Sequence, residues 1–142
     1  MIKKYLFTAM LLLVSLFILA ACASGKTAPG LSGTNWKLVS YGPASNQTPA
    51  AEGIDPSLKF GADGQVNGNM GCNSFGGEFT QKDRQITFGA LASTLMACPE
   101  PQMSQESASF AILTGSVNFT IDGDTLTIMD ASGKNELVLT SQ

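Results

Sequence analysis

Three cysteines and no histidine set the chemistry open to this chain of 142 residues. Cys72 lies inside Gly68-Asn69-Met70-Gly71-Cys72-Asn73-Ser74-Phe75-Gly76-Gly77, and Cys98 ends Thr94-Leu95-Met96-Ala97-Cys98 just before Pro99, roughly 26 positions later. Without histidine, Ser-His-Asp and Cys-His nucleophile arrangements are excluded, and two cysteines alone make no familiar zinc site. No Cys-x-x-Cys redox pair is present. A structural disulfide between Cys72 and Cys98 is the reading that remains. By chain entropy, closing a loop of about 27 residues contributes roughly 3 to 4 kcal/mol. The carboxylates of Asp63, Asp122 and Asp124 each sit beside glycine in turn-like segments. Solvation accounts for them there, whereas paired acid–base work requires one desolvated carboxyl group. Asp122-Gly123-Asp124 with Asp130 lacks the twelve-residue spacing and terminal Glu of an EF-hand. The expectation is therefore a protein that is not an enzyme, with no catalytic residue, metal or cofactor.

The third cysteine belongs to a different problem. Lys3 and Lys4 precede an uncharged apolar run from Tyr5 to Leu19, which leads through Ala20-Ala21 to Cys22. That layout is a secretory signal, and Leu19-Ala20-Ala21-Cys22 resembles the bacterial lipobox, in which the cysteine is acylated and becomes the first mature residue. The apolar run is shorter than the ~20 residues a spanning helix requires. The chain thus divides into a signal peptide (1–21), a flexible tether (22–31) of small, polar, Pro- and Gly-bearing residues, and one domain (32–140). Export also licenses the disulfide, because thiols persist as disulfides outside the cytoplasm. Ala23 rather than Asp follows Cys22. By resemblance to Gram-negative lipoproteins this points to the outer membrane, facing the periplasm. Removing Lys3 and Lys4 takes the formal charge from −3 to about −5. An acidic surface argues against nucleic acid and against electrostatic capture by anionic lipid, so membrane contact is expected through the lipid alone.

The elements that must position Cys72 and Cys98 read as short strands punctuated by turns. Trp36-Lys37-Leu38-Val39-Ser40-Tyr41 alternates, with Trp36, Leu38 and Ser40 on one face, and ends at Gly42-Pro43. Residues 43–56 read as loop. An Asp63-Gly64 turn joins 57–60 to 65–69 as a hairpin, and Lys82-Asp83-Arg84 joins 77–80 to 85–88 as another. Phe79, Ile86 and Phe88 are expected in the core. After Pro99 and Pro101, Ser104 caps a helix near residues 104–114 whose apolar positions are Ala108, Phe110, Ala111, Ile112 and Leu113. Three alternating runs, 117–121, 125–129 and 136–139, then form a meander. The sum is a mostly β fold: about eight short antiparallel strands in a bent, barrel-like sheet, with one helix over an opening.

Within this frame the four glycines around Cys72 ask for positive φ or close approach of backbones. Met70 and Met96, each two residues before a half-cystine, read as packing around the disulfide. Asn67, Asn69 and Asn73 beside the glycines read either as residues tolerating left-handed turns or as a binding edge. Linking the loops would bring the Thr94 hydroxyl near Asn73. If the domain has one functional patch, the Cys72–Cys98 corner with Asn69, Asn73 and Thr94 is its expected place, since rigid loops carry function.

These residues also carry a resemblance. Thr34-Asn35-Trp36-Lys37-Leu38, then Phe60-x3-Gly64-x-Val66-x-Gly68-x2-Gly71-Cys72-Asn73-x2-Gly76, then Leu91-x2-Thr94-x-Met96-Ala97-Cys98 are similar to the META domain, the family of HslJ-like bacterial lipoproteins. Phe110-x2-Leu113 and Leu126-Thr127-Ile128 fit as well, and Phe79 stands where many members have Tyr. The resemblance implies a compact antiparallel β fold with one helix, an envelope location, and a link to heat-shock and antibiotic tolerance without an agreed molecular activity. Two functional expectations follow. One is a membrane-anchored, non-catalytic binding or stress-protection module, monomeric, acting on another envelope protein. The other is a binder of small hydrophobic ligands inside a calycin-like barrel, for which an apolar pocket of about 300 Å³ or more would speak.

Overall fold

A computed structural model describes residues 29–142; the proposed signal peptide, Cys22 and most of the tether lie outside them. Among the described residues, ten strands and one helix follow one another as β1 (Thr34–Pro43), β2 (Thr48–Pro49), β3 (Ser57–Phe60), β4 (Gln65–Asn69), β5 (Ser74–Lys82), β6 (Gln85–Phe88), β7 (Ala92–Ser93), α1 (Gln102–Ile112), β8 (Ser116–Asp122), β9 (Thr125–Met129) and β10 (Asn135–Ser141). Eight of them pair antiparallel in the order β10-β9-β8-β6-β5-β4-β3-β1, and β10 pairs back onto β1, closing a barrel. Closure leaves no open edge along these strands. The short β2 and β7 lie outside the ring, on β1 and β5.

The hairpins form where turn chemistry allows. Gly64 takes φ +79° between β3 and β4, and Asp83 takes φ 52° in the two-residue turn between β5 and β6. Inward positions of the alternating strands fill the barrel with side chains. Leu58, Phe60, Ile86, Phe119, Leu126, Ile128, Leu137 and Leu139 are all buried to 1% exposure or less, and Met70, from the turn after β4, is buried with them. Phe79 and Phe88 join them as the sequence leads one to expect, with the Phe79 ring edge-on to Phe60 at 4.8 Å. Trp36 is also core, its indole N–H donating to the Thr34 hydroxyl.

Several local expectations are corrected. The register of β1 shifts between Leu38 and Ser40, a bulge that breaks strict alternation. Tyr41 therefore points inward with Trp36 and Leu38, while Ser40 is only half-buried. Residues 43–56 are not all loop, since Thr48–Pro49 pairs with β1. The helix begins after Pro101, two residues before the expected cap, and the Ser104 N–H is met by the Glu100 carboxylate at 3.1 Å. Of the expected apolar set Ile112 and Leu113 are buried, and Ala108 and Phe110 pack against the core. The buried face of the helix also includes the polar Gln105, Glu106 and Ser109, which periodicity does not lead one to expect.

Three of the four glycines near Cys72 serve close approach, and none serves positive φ. Gly76 and Gly77 lie within β5 rather than in the turn. A Cβ on Gly68 would fall on the Ser57 carbonyl, one on Gly71 would fall on the Gln102 carbonyl of α1, and one on Gly77 would stand 2.7 Å from the Ala90 oxygen. Gly76 has room, its nearest neighbour being 3.6 Å away.

At the far end of β5 the incoming chain is tied down. The Leu31 N–H donates to Gln81 Oε1 at 2.9 Å, and Gln81 Nε2 donates to the Pro29 carbonyl at 3.1 Å. Between β9 and β10, Asp130 gathers the turn. Its carboxylate accepts from Asn135 Nδ2 and the Ser132 hydroxyl, both at 2.7 Å, and from the Lys134 N–H at 3.1 Å.

Two measurements check this account. Gly68→Ala must displace backbone, so it is expected to lower stability by about 1–3 kcal/mol, whereas Gly76→Ala should change it little; urea unfolding midpoints compare the two. The second concerns acid. The Asn135 hydrogen bond, then that of Ser132, hold the Asp130 carboxyl down to about 2 from an ordinary 3.8. Because the folded value is the lower one, its contribution is complete above pH 3.8 and fades as pH falls toward 2. The turn is open to solvent, so the effect is expected below about 1 kcal/mol. Unfolding at a series of pH values should show Asp130→Ala less stable than the parent at neutral pH and converging with it in that acid window.

Candidate functional site

The site is built on one turn and one strap. Met70 to Asn73 turn from β4 into β5, and residues 94–99 run from β7 to α1 without regular structure. Cys72 and Cys98 join them as a disulfide with Cα atoms 5.8 Å apart. Within the turn, Asn69 closes a local ring: its Oδ1 accepts from the Gly71 N–H at 2.8 Å and its Nδ2 donates to the Cys72 carbonyl at 3.0 Å.

Asn73 links turn to strap. It is 3% exposed, and its amide uses every hydrogen-bonding position available to it. Oδ1 accepts from the Thr94 hydroxyl at 2.8 Å and from the Met96 N–H at 2.7 Å. Nδ2 donates to the Met96 carbonyl at 3.2 Å and to Glu106 Oε1 at 2.7 Å. The Thr94 hydroxyl thus lies beside Asn73, as its position before Cys98 leads one to expect. Asn73 has no left-handed backbone; its amide geometry is the reason for its place.

Behind Asn73 stands Glu106 of α1, a 6% exposed carboxylate. Its Oε2 accepts from the backbone N–H of Cys72 at 2.8 Å and from that of Asn73, while Oε1 takes the Asn73 amide. These are N–H groups of a tight turn aimed at one anion, the arrangement by which backbone dipoles hold negative charge. Gln105 beside it bonds the Met70 carbonyl at 2.6 Å and the Ala51 N–H at 2.7 Å. The polar face of α1 is thereby fully engaged with the barrel at these two residues.

The strap is held outward on this base. Met96 is 55% exposed, not packed around the disulfide as expected, while Met70 is fully buried. Leu95 is 96% exposed although both of its neighbours are bonded to Asn73. Before it, Ser93 pairs with Phe75, and the Thr94 N–H donates to the Ser74 carbonyl at 3.0 Å.

Two clefts flank the helix and neither is inside the barrel. One, about 260 Å³, is lined by Gly89, Ala90, Leu91, Phe110 and Leu113 among others. The other, about 180 Å³, lies between Gly42, Ala108, Ile112, Asp130 and Asn135. Among the described residues no group of three or more His, Cys, Asp or Glu side chains is placed to hold a metal ion.

Glu106, Gln105 and Leu95 escape a reading of the sequence alone. The first two follow the helical spacing Gln102-Gln105-Glu106-Ser109, which identifies a face but not which face is buried. Leu95 carries no signal at all, because exposure of one apolar residue is a property of the assembled corner.

Comparison with known proteins agrees with this architecture. The profile of the META domain matches residues 29–142. An NMR structure of a protein from Burkholderia xenovorans superimposes with TM-score 0.67 at 22% identity, over 85% of this chain and 96% of the other. A second NMR structure gives 0.60 at 24% identity, over 76% and 88%. The crystal structure of a DUF4847 family protein from Bacteroides vulgatus gives 0.57 at 15% identity, over 76% and 92%. At these identities the likeness is one of fold. A comparison with curated proteins gives no match.

The network predicts its own failure mode. Glu106→Ala leaves three buried N–H donors without an acceptor and should cost about 3 kcal/mol or more. Hydrogen exchange followed by mass spectrometry is expected to show the Met96 amide losing protection along with those of Cys72 and Asn73, while the β8–β10 meander keeps its own.

Proposed function

The chain belongs to the META domain family, and on that premise we propose that it is a lipid-anchored module of the bacterial envelope that works by binding another envelope protein. Family and fold support a non-catalytic, binding-type module. The observation that carries the finer reading is the Cys72–Cys98 corner: a disulfide, a buried carboxylate and a saturated amide are spent on holding outward a strap whose most exposed side chain is apolar. A single exposed leucine is ordinary on a surface; a leucine braced from both sides is a presented one.

The anchor is read from Leu19-Ala20-Ala21-Cys22, and the outer membrane from Ala23. The acidic balance speaks against nucleic acid as partner, and the closed barrel against strand-to-strand oligomerisation, so a monomer is proposed. A role in heat-shock or antibiotic tolerance rests on family resemblance. The alternative, a hydrophobic ligand inside the barrel, is disfavoured because that interior is occupied by the protein's own side chains.

Membranes from cells expressing the parent chain and Cys22→Ser test the reading. The parent is expected in the membrane fraction with an acylated N-terminal cysteine by mass spectrometry, and to retain a protein partner through native purification. Cys22→Ser should shift to the soluble fraction. An unacylated parent N-terminus, or no partner retained from either form, would remove the support for it.

A further inference from the structure

Resting on the reading of a protein-binding corner, we propose that the strap Thr94-Leu95-Met96 is a substrate-like inhibitory loop for a serine endopeptidase, with Leu95 as the side chain that enters the specificity pocket. Serine endopeptidases bind an extended peptide, bury one side chain in a deep pocket and attack the carbonyl that follows it. A protein becomes an inhibitor when it offers such a peptide already rigid, so that little conformational freedom is lost on binding and the cut ends cannot leave.

The geometry meets both conditions. The approach is extended, paired with β5 at Ala92 and Ser93 and tied at Thr94 N–H. Leu95 is free of the domain at 96% exposure. The residues on its two sides, Thr94 and Met96, are both clamped by the one buried amide of Asn73, which Glu106 fixes from behind. Two residues further on, Cys98 is bolted to Cys72, the neighbour of Asn73. The same bonds that satisfy the buried Glu106 carboxylate also hold Leu95 outward, away from a burial that would stabilise it by about 1.5–3 kcal/mol.

In the enzyme's site, the serine oxygen adds to the Leu95 carbonyl carbon, and its proton passes through the histidine to the Met96 nitrogen as the Leu95–Met96 bond breaks. The new Met96 amine is not lost. Asn73 Oδ1 still accepts from it, and the disulfide holds the segment that follows. The amine returns its proton through the histidine and attacks the acyl-enzyme, so the peptide bond re-forms. Water is kept waiting by a leaving group that stays in place.

The test uses the mature acylated chain in detergent, titrated against chymotrypsin and subtilisin, whose pockets take large apolar side chains, and against trypsin, whose pocket takes Lys or Arg. Inhibition of chymotrypsin or subtilisin near equimolar ratio, with trypsin spared, is expected. Leu95→Arg, on a fully exposed side chain and so harmless to folding, should reverse the preference, weakening chymotrypsin inhibition about 100-fold and conferring inhibition of trypsin. Asn73→Ala, checked for a folded barrel by circular dichroism, should be cut at Leu95–Met96 and lose inhibition. The proposal is overturned if neither chymotrypsin nor subtilisin is inhibited at severalfold excess, if the parent is cut there as fast as an ordinary substrate, or if Leu95→Arg leaves the preference unchanged. Any of those results beside a partner retained in native purification would leave the envelope binding module standing with a different class of partner.

Discussion

The carboxylate of Glu106 is the constraint on which this molecule's corner depends. It sits nearly out of solvent, and what neutralises its charge is a turn: two consecutive backbone N–H groups and one side-chain amide. A buried anion without partners is strongly unfavourable, and removing partners from one is destructive. The consequence is directional. The helix, the β4–β5 turn and the strap can be assembled only in the arrangement that completes this set of bonds, because each alternative strands either the charge or its donors. Asn73 passes the constraint outward, one edge of its amide on Glu106 and the other on the residues around Leu95.

Reaching that arrangement requires backbones closer than side chains permit. Gly71 lies against the first turn of α1, and with a Cβ at that position the helix could not come near enough for Glu106 to meet the turn. Gly68 does the same for β3 against β4, and Gly77 for β5 against the segment before β7. Barrel closure and a filled interior place the proposed recognition on the surface. Fold alone does not decide function; the braced strap is what gives this barrel a face.

Much of this was legible in the residue order, for reasons that can be named. Asp63-Gly64, Asp83 and Gly123 mark turns whose backbone few other residues adopt, so the hairpins follow locally. Phe79, Ile86 and Phe88 alternate with polar residues and go inward. Two cysteines with no histidine to share a metal leave a disulfide as the simplest pairing. What was not legible is whatever depends on distant partners. The bulge after Leu38 turns Tyr41 rather than Ser40 inward, and nothing near Val39 announces it. The helix buries Gln105 and Glu106 because acceptors and donors from residues 51 and 70–73 await them, which no hydropathy pattern encodes. Met96 illustrates the same limit from the other side: its backbone is needed by Asn73, and its side chain is left outside as a result.

The grip of Gln81 on Pro29 and Leu31 has a mechanical meaning. That grip is at one end of β5, and Ser74, which holds Thr94, is at the other, some seven residues or about 23 Å along the same strand. The barrel is thus a post planted by its N-terminus, with the leucine at the top. A bead, a chip surface or a fused carrier attached ahead of residue 29 meets the foot of the post and leaves the summit open to visitors.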